Sequence, residues 1–241
     1  MHNCYRKWAH GLVVVSLFMT QLGANCSAAD TPQAEYPNTI LALQKRYVDE
    51  VTAHAKYNAY AKRALEEDYP NIAHLFRALA ASEAVHARNF KKLLLDLGVE
   101  AETPTKIEFE VVSTKDNIRH ATTVEANEID REYPEILKSI SSEDHQDAIR
   151  FITYAWQAES QHRDLINKIR KASKRWFGMV AERIEGDPTR YYICQVCGST
   201  LTELPSQSCP ICDHAASEYE EVLGYPGNAK PKGPSAEDED W

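Results

Sequence analysis

Residues 79–90 read LAASEAVHARNF, and their reading decides the fold. At helical spacing, Ile72, Leu75, Phe76, Leu79, Ala80, Ala87, Phe90, Leu93, Leu94 and Leu97 make one apolar stripe. Glu83 and His86 fall inside it. Residues three apart share a helix face, so a carboxylate and an imidazole sit where hydrocarbon belongs. An ionised carboxylate buried without a partner costs several kcal/mol or more, so the pair needs a neutralising neighbour. A satisfied polar pair in the core is the plain alternative.

Recurrence weighs against that alternative. Residues 149–169 carry the stripe Ile149, Ile152, Ala155, Trp156, Ile166 and Ile169, with Glu159 and His162 inside it at the same spacing. Upstream of each E-x-x-H pair lies a helical segment with glutamate on its apolar face. The first holds Glu50 among Ile40, Leu43, Tyr47, Tyr57, Ala61 and Leu65; the second holds Glu125 and Glu128 after Ile118 and Ala121. Glu50 precedes Glu83 by 33 residues and Glu125 precedes Glu159 by 34, the pattern of a duplicated helix pair.

The N-terminus belongs to a different problem. Arg6 and Lys7 precede the apolar run Gly11–Met19, and Ser27-Ala28-Ala29 offers small residues for cleavage, the layout of a secretory signal over residues 1–29. The run is short for a bilayer span. Cys26 offers a lipoprotein alternative, to which Asn25 is poorly suited. The expected location is therefore outside the cytoplasm, in a periplasm. The full chain has a net charge of -9, and losing Arg6 and Lys7 makes the remainder more acidic still, which excludes nucleic acid as a natural partner.

Four helices are expected over residues 36–175. Asn38 is placed to cap the first, and Pro70 suits the first turn of the second, which ends near Gly98. Residues 98–115 lack the stripe and read as an extended connection. Eighteen residues at about 3.3 Å each reach roughly 60 Å, beyond the roughly 40 Å of a 27-residue helix, so the segment can cross the whole bundle. Ser113 with Asp116 resembles a capping box that opens the third helix, Pro134 should interrupt it, and Ser141 with Asp144 offers the start of the fourth. Two helix pairs joined by one long crossover is the connectivity of ferritin-like bundles. Residues 175–190 read as a hinge, and 225–241, rich in Gly, Pro and acids, as a disordered tail.

Brought together, Glu50, Glu83, Glu125, Glu128 and Glu159 would repel one another ruinously in a dry core. Two divalent cations answer that charge, and bridging carboxylates hold such ions about 3.5–4 Å apart. Mixed oxygen and nitrogen donors suit iron or manganese. Tyr57 and Tyr133 fall where their rings could line the site and steady a bound oxygen species, or serve simply as core aromatics. His54, one turn after Glu50, reads as partly exposed or as a support to a ligand; His74, His120, His145 and His214 read as surface residues.

Near the C-terminus, Cys194-x-x-Cys197 and Cys209-x-x-Cys212 form two knuckles that can close a tetrahedral four-sulfur site over residues 188–224. Zinc would make it structural, iron a one-electron carrier, and an oxidising compartment leaves disulfides as a further alternative.

With both parts on one chain, residues 38–224 resemble the rubrerythrin family, an all-α ferritin-like four-helix bundle with one long crossover followed by a rubredoxin-like domain. The resemblance implies di-iron ligands at Glu50, Glu83, His86, Glu125, Glu128, Glu159 and His162, with Glu83 and Glu159 bridging and His86 and Glu128 exchanging with redox state. Cys194, Cys197, Cys209 and Cys212 would hold a rubredoxin-type iron, or zinc. It further implies a peroxidase reducing hydrogen peroxide, an electron donor protein of unknown identity, and a head-to-tail homodimer. A ferroxidase or iron-storage protein and a structural zinc protein are the alternative readings. An export signal is a departure from a family mostly read as cytoplasmic, and puts the usual nicotinamide donor in doubt.

Overall fold

The computed structural model describes residues 35–175 and 188–224; the expected signal segment, the tail and most of the expected hinge lie outside the described residues. Helix α1 (Pro37–Glu66) turns into α2 (Pro70–Asp96) through three residues, with Asp68 in the left-handed region and Pro70 at the N-terminus of α2. These two helices share the most extensive helix contact of the fold. Asn38 does not cap α1, because it already lies within the first turn. It and Thr39 instead bind the carboxylate of Glu143, which accepts both backbone N–H groups at 2.8 Å.

The crossover is extended, as its composition requires. It is tied to α1 by the Gln44 amide, which exchanges two hydrogen bonds of 2.9 Å with the backbone of Glu102. Helix α3 (Thr114–Asn127) opens on Ser113, whose Oγ accepts the Asp116 N–H at 3.2 Å. Pro134 does interrupt the expected third helix, but the break lies upstream of it. A π turn over Glu128–Glu132 separates α3 from α4 (Tyr133–Ile140). Proline lacks the N–H that its position would donate, and its ring crowds the carbonyl one turn back; one wider turn relieves both. Trp156 Nε1 donates to the Ile129 carbonyl in that turn at 2.9 Å, satisfying a group the helix ladder leaves open.

Helix α5 (Gln146–Arg175) starts later than Ser141. His145 caps it, Nδ1 accepting the Ala148 N–H at 3.2 Å, while Ser141 Oγ turns back to the Lys138 carbonyl. The resulting ferritin-like bundle holds two apolar clusters. One gathers Tyr57, Phe76, Leu79, Ile118 and Ile166, the other Leu43, Phe90, Tyr133, Ile140 and Ile152. Between them, at mid-bundle, the sequence stripes place their polar residues. Among the described residues no helix is long and apolar enough to cross a membrane.

Beyond α5 a small three-stranded antiparallel sheet forms from β1 (Tyr192–Cys194), β2 (Thr200–Leu201) and β3 (Tyr219–Glu221), in the order β2-β1-β3. Its face joins the bundle core through Tyr191 and Ile193, each buried and each worth roughly 1.5–3 kcal/mol of apolar transfer.

Candidate metal centre

Helices α1, α2, α3 and α5 each deliver acid to one buried chamber. Glu50, Glu83, His86, Glu125, Glu159 and His162 are all at most 3 % exposed. They form two groups of four ligand atoms, each within 4.8 Å: Glu50, Glu83, His86 and Glu159 in one, Glu83, Glu125, Glu159 and His162 in the other. Glu83 and Glu159 belong to both.

The imidazoles are oriented alike. His86 Nδ1 lies 3.0 Å from Glu83, 3.6 Å from Glu159 and 3.8 Å from Glu50; His162 Nδ1 lies 2.9 Å from Glu159 and 3.5 Å from Glu83. Each ring therefore turns Nδ1 inward and Nε2 outward. Tyr57 donates to Glu125 at 2.6 Å and Tyr133 to Glu50 at 3.0 Å, so both expected tyrosines touch carboxylates of the chamber.

Burial drives the acids to hold protons when nothing else balances them. It pushes Glu125 and Glu159 well above the ordinary carboxylate range and raises Glu50 against the opposing pull of His86. Glu83 moves the other way: burial pushes it up, but the charges and hydrogen bonds of His162 and His86 outweigh burial. Burial alone would depress His86, yet Glu50 and Glu83 carry it up to about 10.

Glu128 stands apart from this set. It opens the π turn, is 19 % exposed at its side chain, belongs to neither four-ligand group, and points Oε1 to Arg46 Nη1 at 3.7 Å. Arg46, one turn before Glu50 and 1 % exposed, is the residue sequence reasoning missed. Its signal was its place in the row Leu43, Arg46, Tyr47 and Glu50. His54 bonds the Ala80 carbonyl at 2.7 Å and Asn58, and makes no hydrogen bond to the chamber acids. His74 is corrected from surface to core: it is fully buried, 5.3 Å from the Tyr191 ring.

The four cysteines are buried free thiols that face each other across the two knuckles, with Sγ separations of 3.7 Å for Cys194–Cys212 and 3.5 Å for Cys197–Cys209. Bonds of about 2.3 Å from sulfur to a tetrahedral metal give edges of about 3.8 Å, so the set fits an ion rather than a disulfide framework. The loop after Cys197 lies directly on the chamber. Ser82 donates to the Gly198 carbonyl at 2.6 Å, Gln161 accepts the Thr200 N–H at 2.8 Å, and His162 Nε2 meets Thr200 Oγ1 at 3.2 Å. His86 Nε2, which has no hydrogen-bond partner, faces Gly198, where an added Cβ would stand 2.2 Å from it.

The rubrerythrin family model matches residues 42–170. Rubrerythrin-2 of Clostridium acetobutylicum is 31 % identical over 170 residues, 70 % of this chain and 89 % of the relative. This chain belongs to the rubrerythrin family. Nigerythrin of Nitratidesulfovibrio vulgaris is 29 % identical over 73 % of the chain and 82 % of the relative. The solved structure of fully reduced, all-ferrous nigerythrin superposes with a TM-score of 0.64 at 26 % identity, covering 80 % of this chain and 91 % of that one. The protein is thus a rubrerythrin-type di-iron protein of oxidative stress defence, from a family of oxidoreductases. The donors suit that family: hard carboxylates and imidazoles in two overlapping sets, with Glu125 Oε2 buried and without a hydrogen-bond partner.

Proposed function

We propose that the chain is a reductive peroxidase exported to a periplasm. The observation that carries this reading is the overlap of two four-ligand groups, placed one loop away from four convergent thiols. Glu50, Glu83, His86 and Glu159 would hold one iron, and Glu83, Glu125, Glu159 and His162 the other. Glu83 and Glu159, which belong to both groups, would serve both ions, and Glu128 would be a ligand held in reserve. Iron there would supply the two electrons that, with two protons, reduce hydrogen peroxide to two waters. Cys194, Cys197, Cys209 and Cys212 would hold the one-electron iron that replenishes them.

The chain's own groups do the positioning. Tyr57 and Tyr133 are pushed well above ordinary phenol values, first by burial and then by Glu125 and Glu50 respectively, so both remain hydrogen-bond donors that fix their carboxylates. His162 is oriented through Thr200, the kind of outer hydrogen bond that sets an imidazole's rotation and tautomer. The 198–200 loop seals the chamber and brings Cys197 within one residue of the His86 ring. In a head-to-tail dimer the same surfaces would meet between two chains. A separate protein outside the cytoplasm would donate the electrons.

Stopped-flow mixing of the fully reduced protein with peroxide and with oxygen tests the reading. Faster oxidation by peroxide, with turnover sustained by added reductant, is expected. Oxidation that stops after one turnover and deposits ferric mineral would replace it with a ferroxidase. Glu159→Ala and His162→Ala should each abolish peroxide turnover and leave the visible absorption of the four-sulfur iron intact.

A further inference from the structure

Among the described residues Arg46 heads the largest fully buried side chains, and nothing in the ligand set requires it. Burying a guanidinium costs several kcal/mol unless its surroundings repay it, so its neighbours carry information. Nη2 pairs with Asp49 and with Glu132 at 3.3 Å, the latter also bound by Lys45 at 3.1 Å. The guanidinium lies 5.0 Å from the centre of the Tyr133 ring, whose hydroxyl donates to Glu50. Nη1 and Nε are buried and make no hydrogen bond, and Nη1 is aimed at Glu128 Oε1, 3.7 Å away.

We propose that Arg46 is a positioning residue that draws Glu128 away from the metal chamber, so that the guanidinium and the metal pair compete for one carboxylate. The proposal rests on the di-iron reading above. Glu50, Glu83, Glu125 and Glu159 bring four negative charges, which balance two divalent cations without help. A fifth carboxylate is surplus in that state, and Arg46 neutralises it in a separate pair. Raising the charge on the metals strengthens their pull on Glu128 while that of Arg46 stays constant. Arg46 therefore sets how readily Glu128 joins, and through it the relative stability of the two metal charge states. The fork geometry matters: Asp49 and Glu132 occupy Nη2, leaving Nη1 as the arm aimed at Glu128.

The test is a double-mutant cycle on the iron-loaded full chain, reading the midpoint potential of the bundle irons by spectroelectrochemical titration. The four-sulfur centre serves as an internal reference. Arg46→Gln should favour the oxidised pair at least tenfold per electron, a negative shift of about 59 mV or more, with the four-sulfur potential unmoved. In an E128Q background the same Arg46 substitution should produce little shift, because the competed carboxylate is gone. Equal shifts in both backgrounds would mean that Arg46 acts only as a fixed charge, and would overturn the proposal. If R46Q does not fold, R46K carries the cycle: it keeps the charge and loses the fork, and a smaller negative shift, again abolished by E128Q, is expected. No shift with R46K would also overturn the proposal. Wild-type protein lacking a redox-active iron pair would sink the di-iron reading itself, a result distinct from either.

Discussion

Gly198 is the position where a single methyl group tests the link between the two metal sites. Its φ of +80° lies in the left-handed region, where alanine costs about 1–2 kcal/mol relative to right-handed backbone. The added Cβ would meet His86 Nε2 at 2.2 Å, His86 Cδ2 at 2.6 Å and Ser82 Oγ at 2.9 Å. Opening the shortest contact to about 3.4 Å, near van der Waals separation, moves the loop or the ring by more than an ångström. Such a shift stretches the 2.6 Å Ser82–Gly198 and 2.8 Å Gln161–Thr200 hydrogen bonds beyond useful length. At about 0.5–1.5 kcal/mol for each bond, Gly198→Ala should weaken docking by roughly 2–5 kcal/mol. None of the four cysteines is altered, so the iron-loaded variant should keep its four-sulfur absorption. In stopped-flow mixing with peroxide, oxidation of that reduced centre should slow markedly while oxidation of the bundle irons persists. A variant with wild-type thermal unfolding and an undiminished rate of four-sulfur oxidation would refute the reasoning.

The remaining expectations concern protons and hydrogen bonds. Metal-free protein carries Glu50, Glu125, Glu159 and His86 with values raised on folding, so the folded state binds extra protons. That stability is complete below the ordinary carboxylate and imidazole values and is lost as pH rises through the raised values, for His86 about 10. Glu83, lowered on folding, has the opposite sign, its contribution being complete above the ordinary carboxylate value and lost as pH falls below it. Thermal melts of metal-free protein should therefore fall in temperature with rising pH, and metal loading should flatten the trend. His74 has the opposite sign: burial first, then Arg77, depresses it from 6.5 to about 4, so its contribution is complete above about 6.5 and is lost as pH falls through about 4. His74→Phe should flatten that acid limb in denaturant titrations. Tyr57→Phe leaves a buried carboxyl oxygen of Glu125 without its donor and should lower the stability of metal-free protein by about 1–3 kcal/mol, measured by urea unfolding.

The sequence by itself determined the elements whose causes are local. A three-residue spacing inside a helical stripe put Glu83 with His86 and Glu159 with His162, because 3.6-residue periodicity needs no knowledge of the partner helix. Knuckle spacing announced the four-sulfur site for the same reason, and the length of the crossover made its span possible. Tertiary structure decided whatever depends on which surfaces meet. Pro134 signalled a break, but relief of its clash one turn upstream created the π turn at Glu128. The α5 cap passed to His145, and His74 became buried only when the Tyr191 face closed over it. Arg46 stands in the apolar row of α1, but its role comes only from the three acids of α1 and the π turn that converge on it. The apposition of Gly198 and His86, 112 positions apart in the chain, likewise has no local cause. Period and spacing are properties of one segment, whereas the electrostatics of a chamber belong to all the segments that enclose it.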